Sequence, residues 1–357
     1  MHAFFTPFGA YPNNAIVGGS AGIAVGAALR AQLTRSDSIC VANLGDGSTG
    51  CGLIWESMNF AGMGQFRNLW QPPFDRNPPV LFCFTNNFYA MGGQTRGETM
   101  AWDRLSRIGA GMSPVQLHAE TVDGSNPLAV ADAVARKAEV LRAGEGPALL
   151  DIECYRYSGH STTDTNAYRS RDEMKAWQAH DPITRFRDRL VDGGVIAAGE
   201  ADEMVEAAGV QIEAVTRVVV NRQLAPAVDL EASPTIIGDM TFNNEAIELV
   251  GRAGDLLAEP AETGAVKSIM RKARSGIAED GSQLSPMRAV TLRDALSEAI
   301  LHHLVHDESL IAYGEECRDW GGAFGVHRGF ADLIPSPRLF NSPISEAAIV
   351  STAVGYA

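Results

Sequence analysis

The sequence predicts an α/β protein built on a doubly wound parallel sheet, and three observations carry that prediction. Short apolar runs of strand length alternate with longer amphipathic stretches of helical period. Gly, Asn or Pro breaks separate them, and the candidate polar loops follow directly on the apolar runs. In such sheets ligands bind beyond the carboxyl ends of the strands, so those loops are where function is sought.

The first unit runs from a strand at Ile39 to Asn43, through Gly45-Asp46-Gly47-Ser48-Thr49-Gly50, into a helix from about Leu53 to Met63. A second strand, Val80 to Thr85, ends at Asn86-Asn87. A third, Ala148 to Tyr155, follows a helix over Asn126 to Leu141 and a Gly-Pro break. Arg169 to Val220 reads as charged helix that wraps the domain or meets a partner subunit. From Gln223 to Ser285 the periodicity weakens among Pro226, Pro234, Pro260 and many acids, the mark of a linker. The expected organisation is a first domain over 1–222, a linker over 223–285, and the incomplete start of a second α/β domain over 286–357. Helix over Arg288 to Val305, a strand over Leu310 to Tyr313 and a terminal helix are expected in it.

Composition excludes some functions. The 357 residues, 45% hydrophobic and 20% charged, have room for about two cores. With 29 basic against 43 acidic residues the net charge is -14, the wrong sign for a nucleic-acid backbone. Ala15 to Leu29 is weakly polar but shorter than a membrane span and lacks the flanks of a signal peptide, so a cytoplasmic protein without a membrane partner is expected. Five scattered cysteines without a CxxC pair are expected to be buried free thiols.

The loop at Gly45 matches the GxGxxG pattern of dinucleotide sites, but its Asp46 would repel a pyrophosphate unless a divalent cation lay between them. The next strand ends in Asn86-Asn87 rather than in the acid that would hold a ribose. An Asp and an Asn at neighbouring strand ends suit a hard cation with oxygen ligands bridging to phosphate.

These residues resemble the thiamine-diphosphate motif, and their surroundings resemble the E1-alpha subunit of pyruvate and branched-chain 2-oxo acid dehydrogenases. The likeness runs in order through Gly45-Asp46-Gly47, Trp55-Glu56-Ser57-Met58-Asn59-Phe60-Ala61, Asn86-Asn87-Phe88-Tyr89-Ala90-Met91-Gly92, Val122-Asp123-Gly124-Ser125-Asn126 and Tyr155-Arg156-Tyr157-Ser158-Gly159-His160-Ser161. After the linker, Thr291-Leu292-Arg293-Asp294-Ala295, Gly314-Glu315-Glu316, Gly321-Gly322 and Ser342-Pro343-Ile344-Ser345-Glu346 resemble the opening of the E1-beta subunit, so a fused alpha-beta chain, open at both ends, is expected.

The resemblance implies thiamine diphosphate and Mg2+ as cofactors. Asp46, Asn87 and the Tyr89 carbonyl would hold the metal, and the turn at Gly45, with the Gly47 and Ser48 amides, would lie near the diphosphate. Ile16 and Val17, in the segment Ala15 to Gly18, would lie against the aminopyrimidine and bend the cofactor. His160, in a mobile loop with Ser161, Asp164, Tyr168 and Arg169, would face the cofactor and assist transfer to a lipoyl group, with Arg156 and Asp164 pairing to order the loop. Glu346 would share a proton with the aminopyrimidine nitrogen, among the apolar neighbours Ile344, Ala347, Ala348 and Ile349; it would also suit a helix N-terminus.

The implied activity is oxidative decarboxylation of a 2-oxo acid by a homo-oligomer, with acyl transfer to a lipoyl-bearing E2 acyltransferase. Transketolase-like ketol transfer, or a non-catalytic cofactor-binding fragment, are the alternatives. Ser158 and Ser20 replace a His and a Gln of pyruvate-type relatives, which leaves the substrate open. Asp46 to Asn87 spans 41 positions, about a dozen more than the family spacing. The surplus falls in Gly64 to Pro79, expected to be a removable surface loop.

Overall fold

A computed structural model describes residues 8–11, 15–112, 117–236, 255–271, 277–283 and 291–357. Helix α1 (Gly19–Leu33) leads to strand β1 (Cys40–Gly45), a 3-10 turn over Asp46–Gly50, and helix α2 (Gly52–Ala61). A short helix α3 (Gln65–Asn68) and strand β2 (Val80–Asn86) follow, then α4 (Leu105–Met112), β3 (His118–Asp123), α5 (Pro127–Arg142) and β4 (Ala148–Glu153). The Asn126 side chain caps α5 by accepting from the Ala129 amide, with Pro127 in its first turn.

The four strands form one parallel sheet in the order β1-β2-β4-β3. Register aligns their carboxyl ends: Gly45 lies beside Thr85, and Asn86 beside Glu153, itself beside Asp123. Alternate residues of β2 face opposite ways. Phe82 and Phe84 enter a core with Leu29, Leu33, Ile54 and Met58, whereas Leu81 joins Val122, Ala133 and Leu141 on the other face. Helices on both faces make the sheet doubly wound, as the alternation of elements predicts.

Beyond β4 come α6 (Arg171–Gln178), α7 (Pro182–Asp192) and α8 (Ala198–Val220), and α8 leaves Val205, Ile212 and Val215 exposed. Further along are α9 (Gly264–Arg271), α10 (Leu292–His306), a parallel pair β5 (Ala312–Glu315) and β6 (Leu339–Ser342), and α11 (Glu346–Tyr356). Leu301, Leu304, Phe330, Leu333 and Leu339 form a core there, and Ala265, Val266 and Ile269 of α9 pack against it although they fall in the stretch read as linker. All five cysteines are free, but only Cys317 is buried and the other four are half-buried. No helix among the described residues is long and apolar enough to cross a membrane.

The 64–79 segment is not a surface loop. Phe66, Trp70 and Phe74 are buried at 0%, 2% and 6% exposure, and Asn77 donates to the carbonyls of Ala61 and Met63. Phe66 and Trp70 lie edge-on to Phe340 of β6, with ring centroids 5.9 and 5.3 Å apart. The aromatic residues that suggest a sticky exposed loop instead fill the gap between the two sheets. Removing a fully buried large aromatic costs about 3–5 kcal/mol. Trp70→Ala should therefore lower the urea midpoint by that equivalent, and deletion of 64–79 should give insoluble protein; a deletion variant with unchanged stability would contradict the packing.

Candidate functional site

The site begins where β1 ends. The chain leaves the sheet at Gly45 and turns at once into the 3-10 turn, where the Thr49 hydroxyl donates to the Asp46 carbonyl at 2.7 Å and that of Ser48 to the Gly45 carbonyl. Two indoles brace the turn from outside: Trp55 donates to the Thr49 carbonyl and Trp102 to the Thr49 hydroxyl, both at 2.9 Å. Asp46 is 1% exposed. Its carboxylate accepts the Thr95 hydroxyl at 2.5 Å and the Asn87 amide at 3.4 Å, and among the described residues no cationic side chain pairs with it. Burial pushes its pKa up, against the lowering effects of Thr95, the Asn87 backbone amide and the more distant Arg156 guanidinium. A buried carboxyl without a partner cation is the environment a bound cation would complete.

The second half comes from the end of β2, where the two asparagines divide their tasks. Asn86 is fully buried and donates to Asp151 of β4 at 2.8 Å; Asp151 also accepts the Leu105 amide and the Thr121 hydroxyl. It ties strands and helix together. The Asn87 backbone amide points to Asp46, and its side-chain oxygen accepts the Tyr89 amide at 3.1 Å, leaving a second lone pair free of that bond. Phe88 between them takes a left-handed φ of 63°, under the Arg96 guanidinium 4.4 Å away. Among the described residues no group of three or more His, Cys, Asp or Glu could hold a metal. The set Asp46, Asn87 and Tyr89 is of another kind: one carboxylate, one amide and one carbonyl.

The loop carrying His160 is stitched to the same place. Arg156 donates to the Ala90 carbonyl at 2.8 Å, and the Tyr89 hydroxyl donates to Glu173 of α6 at 2.6 Å. Buried Arg169 lies over the rings of Tyr89, Tyr155 and Tyr168. Arg156 and Asp164 do not pair directly. Arg156 donates to the Tyr168 hydroxyl, which donates to Asp164 at 2.6 Å, so the tyrosine bridges them. That hydrogen bond, first among several, pulls the Asp164 carboxyl down to about 2. Asp164 also accepts the His160 amide at 2.7 Å, and the His160 side chain is exposed.

The third part is a concavity of about 550 Å³ lined by Ile16, Gly19, Ile23 and Leu53 from the first sheet's side and by Glu346 and Val350 from α11. Ile16 and Val17 are 73% and 60% exposed, just before Gly18, whose φ of 82° starts α1. Glu346 opens α11 and is exposed, as is Ile344 beside it. The apolar neighbours do not close over the carboxyl: Ala348 packs inward, while Ile344 at 77% points to solvent. Thr95 and Asp151 are the members that pattern reading misses. Each acts through a partner far along the chain, and no local motif marks it.

The candidate site is thus a buried acid at one end of a parallel α/β sheet with an Asn turn at the neighbouring strand end. Residues 1–227 match the family model described as dehydrogenase E1 component, and the chain belongs to that family. It is similar to the pyruvate dehydrogenase E1 component subunit alpha of Zymomonas mobilis, 36% identical over 197 residues, covering 55% of this chain and 51% of the relative. The Rhizobium meliloti subunit alpha is 33% identical over 195 residues, 54% of this chain and 51% of the relative. The mitochondrial subunit alpha type I of Ascaris suum is 32% identical over 219 residues, 61% of this chain and 50% of the relative. The chain spans about half the length of these curated relatives.

Proposed function

We propose that this chain carries the cofactor half-site of a thiamine-diphosphate-dependent E1 enzyme that oxidatively decarboxylates a 2-oxo acid, pyruvate or branched-chain, and passes the acyl group to the lipoyl arm of an E2 partner. The observation that carries the reading is the buried Asp46, without a direct ion pair among the described residues, facing the Asn87 turn across two parallel strand ends. Asp46, the Asn87 side-chain oxygen and the Tyr89 carbonyl would hold Mg2+, with Gly45, Gly47 and Ser48 turned toward the diphosphate. Thiamine diphosphate supplies an electron sink into which the bond to the departing carboxylate can empty. Ile16 and Val17 offer an apolar seat for its rings. Glu346 would hold and return a proton at the aminopyrimidine nitrogen, and His160 would assist transfer at the mouth of the site. A homo-oligomer and a second, E1-beta-like domain over 286–357 belong to the same reading.

The test is carbon dioxide release by the full-length protein from pyruvate and from branched-chain 2-oxo acids, with an artificial electron acceptor, Mg2+ and thiamine diphosphate. Release that requires both cofactors is expected. Activity on ketose phosphates alone would replace the reading by ketol transfer, and cofactor binding without turnover would replace it by a scaffold.

A further inference from the structure

Helix α8 packs almost nothing of itself against its own chain: of its residues only Ala201 is buried. Its large apolar side chains nevertheless fall mainly on one side. Val205, Ala208, Ile212 and Val215 recur at alternating spacings of three and four, and Met204, Val218 and Val219 widen the same stripe. Met204, Val205, Ile212, Val215, Val218 and Val219 are between 52% and 68% exposed. Of the large apolar side chains on the helix, Val210 and Val220 alone stand off the stripe. Scattered exposed valines need no explanation, but a continuous stripe is a surface suited to being covered.

The rest of the helix says which way its cover runs. Glu200, Asp202, Glu203 and Glu206 crowd the first half, while Arg217 lies in the last turn and Arg222 just past the end. Their ion pairs within the chain, Arg217 with Glu213 at 3.2 Å and Asp202 with Arg187 at 3.9 Å, are exposed and weak. A parallel copy of the helix would set acid beside acid and Ala208 beside Ala208, with a gap between them. An antiparallel copy sets the basic end of one helix over the acidic end of the other and opposes the two helix dipoles. It also lays Ile212 over Ala208, Val205 over Val215 and Met204 beside Val218, so that large side chains meet small ones at the centre. Each contact then occurs twice about a two-fold axis.

We propose that α8 is a dimer seam, pairing antiparallel with α8 of a second copy of this chain, with Ile212 and Ala208 at its centre. The proposal supplies a surface for the homo-oligomer of the reading above and rests on that reading for nothing else. The six exposed stripe residues offer about 600 Å² of side chain per copy, or about 1,200 Å² for the pair, the lower bound of stable protein interfaces.

The experiment uses full-length chains. Val205→Cys under one tag and Val215→Cys under another are co-expressed, purified through the first tag and treated with a short bis-maleimide; Val205→Cys alone is treated in parallel. Linked peptides are identified by mass, which separates them from links through the native cysteines. Positions 205 and 215 lie about 15 Å apart along one helix, and here they are on different chains, so a 205–215 link arises only between copies. The antiparallel seam predicts that link, and no 205–205 link in the single variant. Adding Ile212→Glu to both chains should lower the yield by more than about 10-fold, because each carboxylate would be buried against Ala208 of the other copy without a cation. No 205–215 link, a 205–205 link, or an unchanged yield with Ile212→Glu would overturn the seam. Carbon dioxide release is a separate readout: none from any 2-oxo acid, with the 205–215 link present, strikes the cofactor reading and leaves the seam standing.

Discussion

Asp46→Ala is expected to abolish Mg2+-dependent binding of thiamine diphosphate. The carboxylate is 1% exposed and is the single anionic ligand of the proposed set. Outer-shell partners of metal ligands typically cost 10- to 100-fold in affinity, so loss of the charged ligand itself should exceed about 10²-fold. Alanine also strands the Thr95 hydroxyl and the Asn87 amide, at about 1–3 kcal/mol for each unsatisfied buried group. Lost binding could then reflect lost folding. Asp46→Asn separates the two effects: the amide keeps an acceptor for Thr95 and size for the turn, but brings no charge. Its thermal midpoint should stay near or above that of the wild type without ligand, because burial already opposes the ionised form. Calorimetric titration should nonetheless show no binding with Mg2+, matching the wild type with a chelator. Unchanged affinity in Asp46→Asn would remove Asp46 from the metal set.

How much of this could be read beforehand depends on how local each determinant is. The turn at Asp46 and the Asn pair are legible because strand, loop and ligand types lie within a few residues, and the strand ends then meet through sheet register alone. Strand β3 escapes notice because His118, Glu120, Thr121 and Asp123 make a polar, half-buried edge with no apolar run. The 64–79 segment misleads for a different reason. Its Pro residues and flanking polar groups look like a loop, and the ring that Phe66 and Trp70 pack against, Phe340, comes from β6. The α1 glycines read as a weakly polar stretch too short for a membrane, whereas Gly22 and Gly26 are the contact surface for a helix more than three hundred residues downstream. Arg156 and Asp164 are opposite charges in one loop, so a direct pair is the simple expectation; Tyr168 inserts between them because a phenol can accept from one and donate to the other.

Glu346→Gln should leave fold and Mg2+-dependent cofactor binding nearly unchanged while lowering kcat by about 10²- to 10⁴-fold, the usual contribution of a positioned acid-base group. The residue is exposed on the first turn of α11, so the amide neither buries an unpaired group nor opens a cavity. As a helix N-terminal residue it contributes at most about 1 kcal/mol through the dipole, too little to explain such a loss. The hydrogen bond that fixes the turn runs from the Ala348 amide to Glu56 and does not involve the residue-346 side chain. The substitution therefore removes proton exchange and little else. The reading is deuterium exchange at the thiazolium carbon of the bound cofactor, which should slow together with kcat. Glu346→Asp gives the internal control: it keeps the acid but draws it back by one methylene, and should recover part of the exchange rate that glutamine loses. Equal exchange rates in wild type and Glu346→Gln would leave Glu346 as a helix-terminal residue only, and the proton donor would then have to be sought among other groups facing the Ile16 and Leu53 concavity.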